Sequence, residues 1–146
     1  MTMPNATMTK FGYPDTLVRD LEHWCILLRP AQATLGSLVL VCKDEAQAFS
    51  DISQEAFGEL SKATREIETS LAEFRRFEKL NYLMLMMVDP DVHFHVLPRY
   101  SETQVFEGVE FPDAGWPAVP DLSSAVTPEE PLRNAIISAL VECWTA

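Results

Sequence analysis

The stretch Pro90-Asp-Val-His-Phe-His-Val-Leu-Pro-Arg99 contains two of the three histidines of the chain and alternates ionisable residues with apolar ones. Alternation with a period of two predicts a β-strand whose side chains point to opposite faces of a sheet. The strand is expected to cover 91–97 and to end at Pro98, which lacks a backbone donor. Its apolar residues then face a core, and three ionisable residues line the other face: Asp91, His93 and His95.

Apolar runs elsewhere in the chain predict further strands of an antiparallel sheet. These strands are expected over 23–28, 37–42, 81–88 and a weaker segment within 104–111. The first two are joined by a short connection through Gly36, which indicates an antiparallel hairpin. The run 81–88 is apolar almost throughout and is interpreted as a buried strand.

Three helices are predicted around these strands. A short one is expected over 15–21. A long one begins near Asp51, where a capping-box pattern occurs, and continues to about Lys79 with apolar residues at spacings of three and four. The last begins at Thr127-Pro128-Glu129-Glu130, with Thr127 as the N-cap residue.

The order of these elements predicts an α+β fold, in which helices cover an antiparallel sheet of about five strands. A length of 146 residues is typical of one domain, so the whole chain, 1–146, is expected to form a single unit. We expect its core to cover 15–111, followed by a C-terminal loop and helix over 112–146.

The charge of the chain excludes some classes of partner. The 22 acidic residues outnumber the 11 Lys and Arg, which gives a net charge of −11. Binding to nucleic acid or to an anionic membrane surface requires a basic surface, so neither is expected. The sequence has no apolar run long enough to span a bilayer and no secretory signal, and its three cysteines have no metal-ligand spacing. These features favour a cytoplasmic protein with reduced thiols.

Three interpretations of the histidine strand remain open. The histidines have no function, or they bind a metal ion, or one of them is a nucleophile. A His-x-His pair suits zinc or iron, but Asp91 and His95 would lie about 13 Å apart along a strand, so a further ligand would have to come from elsewhere. Histidine also suits nucleophilic and acid–base chemistry, because its ordinary pKa is near neutrality. No metal or other cofactor is assigned.

The sequence His93-Phe-His-Val-Leu-Pro-Arg99 resembles the motif of the histidine triad (HIT) superfamily, in which single apolar residues separate three histidines. The resemblance extends over roughly 23–100, and the segment Phe111-Pro-Asp-Ala-Gly-Trp-Pro117 is similar to a compact bacterial subgroup. It implies a HIT-like antiparallel sheet with a long helix and a C-terminal helix, and a homodimer. It also implies a hydrolase or nucleotidyltransferase that acts on the α-phosphate of a small nucleotide, such as a dinucleoside polyphosphate or a phosphoramidate.

The resemblance assigns a role to each residue of the motif. His93 corresponds to the middle histidine, which attacks the α-phosphorus and forms a nucleotidyl-histidine intermediate. His95 corresponds to the last histidine, which binds the phosphate oxygens. Asp91 takes the place of the first, which orients the nucleophile largely through its backbone carbonyl.

Other positions depart from the family pattern or allow two interpretations. Ser37 follows Gly36 where family members commonly have a histidine, and 85–88 is apolar where they carry a small, polar phosphate-binding segment. Asn81, Ser37 and Arg99 are candidate nucleotide- or phosphate-binding residues. Asn81 has an alternative as a cap of its strand, and Arg99 and Arg29 have alternatives as partners of acidic neighbours. The weakened phosphate-binding segment leaves a second function open, that of a non-catalytic nucleotide-binding protein.

Overall fold

A five-stranded antiparallel sheet forms the centre of the computed structural model, which describes residues 3–146. The helices and strands follow in this order: α1 (Ala6–Lys10), β1 (Leu17–Asp20), β2 (Trp24–Leu28), β3 (Leu38–Cys42), α2 (Gln54–Phe74), β4 (Lys79–Leu83), β5 (His93–Arg99), β6 (Gln104–Phe106), β7 (Val109–Phe111) and α3 (Glu130–Cys143). The sheet order is β1-β2-β3-β5-β4, and β6 pairs with β7 in a separate hairpin. The predicted α+β class, the antiparallel sheet of five strands, the long helix and the C-terminal helix are confirmed, although β1, and not the segment within 104–111, supplies the fifth strand of the sheet.

The two faces of the sheet are covered differently. Every residue of β2 and β3 is buried, which agrees with their continuous apolar sequences. One face packs against α2 and α3 through residues such as Ile67 and Leu140. The other face carries Val39 and Val41 and packs against Met8 of α1. The sheet therefore has a thick core on one side and a thin cover on the other.

The prediction of a short helix over 15–21 is wrong, because this segment contains strand β1. Leu17 pairs with Leu27 and Asp20 with Cys25, so the backbone groups of this segment are satisfied by β2. A helix of seven residues has a costly nucleus and few internal hydrogen bonds, and pairing with a later strand overrides its local signal. The only helix before β1 in the described part of the chain is α1, where Oδ1 of Asn5 accepts from the backbone N–H of Met8 at 2.9 Å.

The predicted ends of α2 and α3 are also corrected. The cap of α2 is Ser53, whose Oγ accepts from the N–H of Ala56 at 3.1 Å, and the helix ends at Phe74 rather than near Lys79. The chain must turn there because the following residues join the sheet, where Lys79 pairs with Arg99. In α3 the N-cap residue is Glu129, two residues later than predicted.

The predicted strand over 81–88 divides into two parts. Its first residues belong to β4, whereas Leu85 to Val88 form a loop in which Met86 has a φ of 52°. Met87 and Val88 are 84% and 80% exposed. A short apolar run is compatible with several structures, and here the strand ends at Leu83, before the left-handed backbone of Met86.

The predicted strand 91–97 is β5, which begins at His93 and continues through Pro98 to Arg99. Its pairing with β3 ends at Val96, so the missing N–H of Pro98 interrupts no hydrogen bond on that side. The weaker predicted strand within 104–111 is the hairpin of β6 and β7. None of the helices in residues 3–146 has the length and apolar character required to cross a membrane.

Candidate functional site

Strand β5 places His93 and His95 side by side on the thinly covered face of the sheet. His95 pairs with Val39 and His93 with Val41, so both imidazoles lie on the same face as those valines. Their ring centroids are 5.2 Å apart, and the residues are only 2% and 7% exposed. The predicted alternation of the strand is correct here, because Val92 and Val96 belong to the core on the opposite face.

Asp91 orients His93 through its backbone. Nδ1 of His93 lies 2.7 Å from the carbonyl oxygen of Asp91. A carbonyl oxygen only accepts hydrogen bonds, so Nδ1 carries the proton, and a ring with this tautomer has its lone pair on Nε2. The carboxylate of Asp91 turns to α1, where Oδ2 accepts from the N–H of Thr7 at 3.1 Å. Oγ1 of Thr7 in turn accepts from the N–H of Asp91 at 3.1 Å, which fixes the carbonyl that holds the histidine.

Arg29 gives His95 the other tautomer, with the proton on Nε2. Nε of Arg29 donates to Nδ1 of His95 at 3.3 Å, and because a guanidinium only donates, Nδ1 must be the acceptor. Burial, followed by the positive charge of Arg29 and by His93, lowers the pKa of His95 to about 4. The ring is therefore neutral at pH 7 and carries its proton on Nε2. The site presents one ring with a free Nε2 lone pair beside one ring with an Nε2–H donor.

A pocket of about 290 Å³ opens over the two histidines. The ring of Phe11 forms one wall, with its centroid 5.9 Å from His93 and 5.7 Å from His95. At the rim, Nζ of Lys10 forms an ion pair with Asp89 at 2.8 Å. Arg29, Leu122 and the 85–88 loop also line the pocket. The arrangement is a small, partly apolar cavity, and among residues 3–146 its Arg29 has no ion-pair partner.

The three candidate phosphate-binding residues lie outside this pocket. Ser37 is fully buried, and its hydroxyl bonds to Thr34 within the turn before β3. Arg99 donates to Asp113 at 2.7 and 3.0 Å and to Oδ1 of Asn81 at 2.8 Å. Asn81 and Arg99 instead line a larger hollow of about 620 Å³ beside Trp116. The structure thus brings together Asp91, His93 and His95, but not the phosphate-binding candidates.

The residues that line the larger hollow include no histidine, cysteine or carboxylate, whereas two histidines line the smaller pocket, which is therefore the stronger candidate for chemistry. The third histidine, His23, lies elsewhere, with Nδ1 2.8 Å from Asp44, and the hydrogen bond to that carboxylate raises its pKa. Within residues 3–146, no three side chains of His, Cys, Asp or Glu are grouped so that they could hold a metal ion.

Sequence reasoning missed Lys10 and Phe11 as parts of the site. Both belong to the segment that begins with α1, which has no motif and lies far from the histidines in sequence. The N-cap signal of Asn5 predicts the start of a short helix at most. Only the docking of α1 on the sheet, through Met8 and the bonds between Thr7 and Asp91, brings them to the pocket.

Comparisons with known proteins identify the family of the chain and agree with its fold. The family model described as HIT domain matches residues 12–102. A crystal structure of a histidine triad protein from Bradyrhizobium japonicum superposes with a TM-score of 0.74 at 18% identity and covers 98% of each chain. One from Sinorhizobium meliloti 1021 gives 0.75 at 17% identity, over 97% of this chain and 96% of the other.

A third structure, a hypothetical histidine triad nucleotide-binding protein from Sulfolobus tokodaii strain7, gives a TM-score of 0.66 at 15% identity. It covers 88% of this chain and 82% of its own. A comparison with curated protein sequences gives no match. At these identities the solved structures establish the fold alone.

Proposed function

Since the chain belongs to the HIT domain family, we propose that it transfers or hydrolyses the nucleotidyl group of a small nucleotide substrate, with His93 as the nucleophile. The family has a fold associated with nucleotide binding and hydrolysis, and the protein from Sulfolobus tokodaii is described as nucleotide-binding. The substrate class is an α-phosphate linked to a leaving group by a phosphoric anhydride or phosphoramide bond.

The observation that carries the proposal is that the two neighbouring imidazoles have opposite tautomers, with the proton on Nδ1 in His93 and on Nε2 in His95. The hydrogen bond from Nδ1 of His93 to the Asp91 carbonyl leaves the Nε2 lone pair available. The hydrogen bond from Arg29 to His95 leaves an Nε2–H donor beside it. A nucleophile next to a donor is the pair that attack on a phosphoryl group requires, since charge on the phosphoryl oxygens must be stabilised.

In the first step, the Nε2 lone pair of His93 forms a bond to the α-phosphorus, and the bond between phosphorus and the leaving group breaks. The leaving group departs with that electron pair and takes a proton from water if it needs one. The Nε2–H of His95 donates to a non-bridging phosphoryl oxygen. In the second step, water or another acceptor attacks phosphorus, loses its proton to solvent, and releases His93 with its lone pair restored.

A second candidate, a non-catalytic nucleotide-binding protein, is favoured by the 85–88 loop. Its exposed apolar side chains, with Met87 84% exposed, line the pocket and offer few donors to a phosphate. The two candidate functions predict different results. An enzyme turns over its substrate and loses this activity when His93 is substituted, whereas a binding protein binds nucleotide without turnover.

The test compares wild type with His93→Ala and His93→Asn on dinucleoside polyphosphates, nucleoside phosphoramidates and nucleotide sugars, with products separated by chromatography. His23→Asn is the matched control, because His23 is the histidine outside the pocket. We expect turnover in wild type and in His23→Asn, and a loss of at least about 1,000-fold in both His93 variants, since the covalent step is removed. Saturable nucleotide binding without turnover in any protein would favour the non-catalytic candidate.

We also propose that the chain forms a homodimer, as its family membership suggests. Sedimentation at micromolar concentration measures the mass directly. A mass near twice 16.5 kDa is expected, and a mass of 16.5 kDa alone would refute this proposal.

A further inference from the structure

Arg29 follows β2 and extends across the sheet to the histidine pocket. Its Nε donates to Nδ1 of His95, and its Nη1 donates to the carbonyl of Ala31. These two bonds hold the guanidinium plane in place. Nη2 makes no hydrogen bond to another protein atom of residues 3–146, although Arg29 lines the pocket. One face of a fixed cation is therefore available to a ligand.

The charge of Arg29 is not balanced by a nearby carboxylate. Two other arginines at the edge of the core have such partners: Arg19 pairs with Glu66 at 2.8 Å and Arg99 with Asp113 at 2.7 Å. Within the part of the chain that the structure describes, no carboxylate oxygen lies within 4 Å of Arg29, although the protein has 22 acidic residues. The acidic residue that lines the pocket, Asp89, is already paired with Lys10.

An unbalanced charge withdrawn from water is costly, and the protein shows that cost. Burial lowers the pKa of Arg29 from its usual value. An anion that binds in the pocket would restore the balance and gain charge-assisted hydrogen bonds. Guanidinium groups suit phosphoryl oxygens in particular, because their planar array of donors matches two oxygens of one group.

We propose that Arg29 is an anion-binding and positioning residue of this pocket, which holds a phosphoryl oxygen of the bound nucleotide while its Nε fixes His95 as an Nε2–H donor. The proposal rests on the function proposed above for the phosphoryl group, but it makes a separate claim about binding. Arg29 and the donor of His95 then act on one phosphate from two sides. The phosphate-binding role that the apolar 85–88 loop does not provide is supplied by the residue that directly follows β2.

The test measures binding of adenosine monophosphate and of adenosine, which lacks the phosphate, by isothermal titration calorimetry. Arg29→Met removes the charge at nearly constant length, and Arg29→Lys keeps the charge but not the planar donors. Arg65→Met is the matched control, because Arg65 is exposed on α2 at the other face of the sheet. Circular dichroism confirms that each variant is folded, and Arg29→Lys keeps the test possible if Arg29→Met does not fold.

We expect Arg29→Met to weaken binding of adenosine monophosphate by about 10- to 100-fold, the usual value of hydrogen bonds to a charged group, and to leave adenosine binding unchanged. Arg29→Lys should show an intermediate loss, and Arg65→Met none. Equal losses for the two ligands would indicate a purely structural residue and overturn the proposal. Wild type that binds adenosine monophosphate no more tightly than adenosine would also overturn it.

The positioning role has its own readout in the nitrogen-15 NMR spectrum of the histidine rings. Wild type should show His95 with an unprotonated Nδ1 and a protonated Nε2 at pH 7. Arg29→Met should convert it to a mixture of tautomers, whereas Arg65→Met should not. An unchanged His95 spectrum in Arg29→Met would refute the positioning role. If binding depends on Arg29 but no substrate is turned over, the proposed function fails and the inference about Arg29 stands.

Discussion

The ion pair of Arg99 and Asp113 joins the end of β5 to the loop before Trp116, and its removal should destabilise the fold strongly. The side chains are 4% and 2% exposed. Asp113 accepts from Nε and Nη2 of Arg99 at 2.7 and 3.0 Å and from the N–H of Tyr100 at 3.1 Å. Arg99→Met therefore removes two of three donors from a buried carboxylate. Breaking one side of such a pair costs about 3–5 kcal/mol of unfolding free energy.

Urea unfolding followed by circular dichroism measures this cost. With a slope of about 1–3 kcal/mol per molar urea, the midpoint should fall by roughly 2 M in Arg99→Met. Lys43→Met is the control, because its partner Asp20 is 43% exposed and such pairs contribute about 1 kcal/mol or less. The double variant Arg99→Met, Asp113→Leu should recover part of the loss, since no buried charge is left unpaired.

A loss below about 1 kcal/mol in Arg99→Met would refute the reasoning, because a buried and bidentate pair cannot be that weak while its partner stays desolvated. The same folded variant tests the sequence prediction that Arg99 binds phosphate. An unchanged affinity for adenosine monophosphate would leave Arg99 a structural residue only.

Three further outcomes are expected. The pKa of His95 is about 4 in the folded protein and about 6.5 in the unfolded chain, so the unfolded chain takes up the proton first and stability should fall as the pH drops from 6.5 towards 4. His95→Asn should lose this pH-dependent part of the stability, about 2 kcal/mol after solvent screening. Urea titrations at several pH values measure it. Glu66→Gln should lower the unfolding free energy by about 1–3 kcal/mol, because the carboxylate accepts hydrogen bonds from Arg19 and from the indole of Trp144. It should also shift the tryptophan fluorescence of the folded protein. Fluorescence identical to that of wild type would contradict the contact with Trp144. Thr7→Val leaves the buried N–H of Asp91 without its acceptor, so it should cost about 1–3 kcal/mol of unfolding free energy and reduce turnover in the protein that remains folded. Unaltered kinetics would show that α1 does not support the carbonyl that holds His93.

The elements with strong periodic signals were predictable from the sequence. The alternation around His93 and His95 gave the strand and the face of its side chains, because the period of two is a property of the strand itself. The apolar spacing of α2 gave a long helix, although not its end. The end at Phe74 depends on the pairing of Lys79 with Arg99, which no local pattern contains.

Elements that depend on distant partners were not predictable. Strand β1 forms because β2 offers it hydrogen-bonding groups, and the run 81–88 stops being a strand where its pairing with β5 ends, at Leu83. The residues of the site also divide into those that the local sequence predicts and those that depend on distant partners. Arg29 comes from the end of β2, and β3 lies between β2 and β5, so only the sheet order shows that Arg29 reaches His95. The division of the chain into a core over 15–111 and a C-terminal part over 112–146 stays a prediction.

The most direct test of the central claim is a search for the nucleotidyl group on His93. Wild type is mixed with a substrate that the panel identifies, quenched in alkali within milliseconds to seconds, digested and analysed by mass spectrometry. The account predicts one added nucleotidyl group on the peptide that contains 91–99, attached to His93, stable in alkali and lost in acid, and absent from His93→Asn. Turnover that persists in His93→Asn, or an adduct on a different residue, would contradict the account.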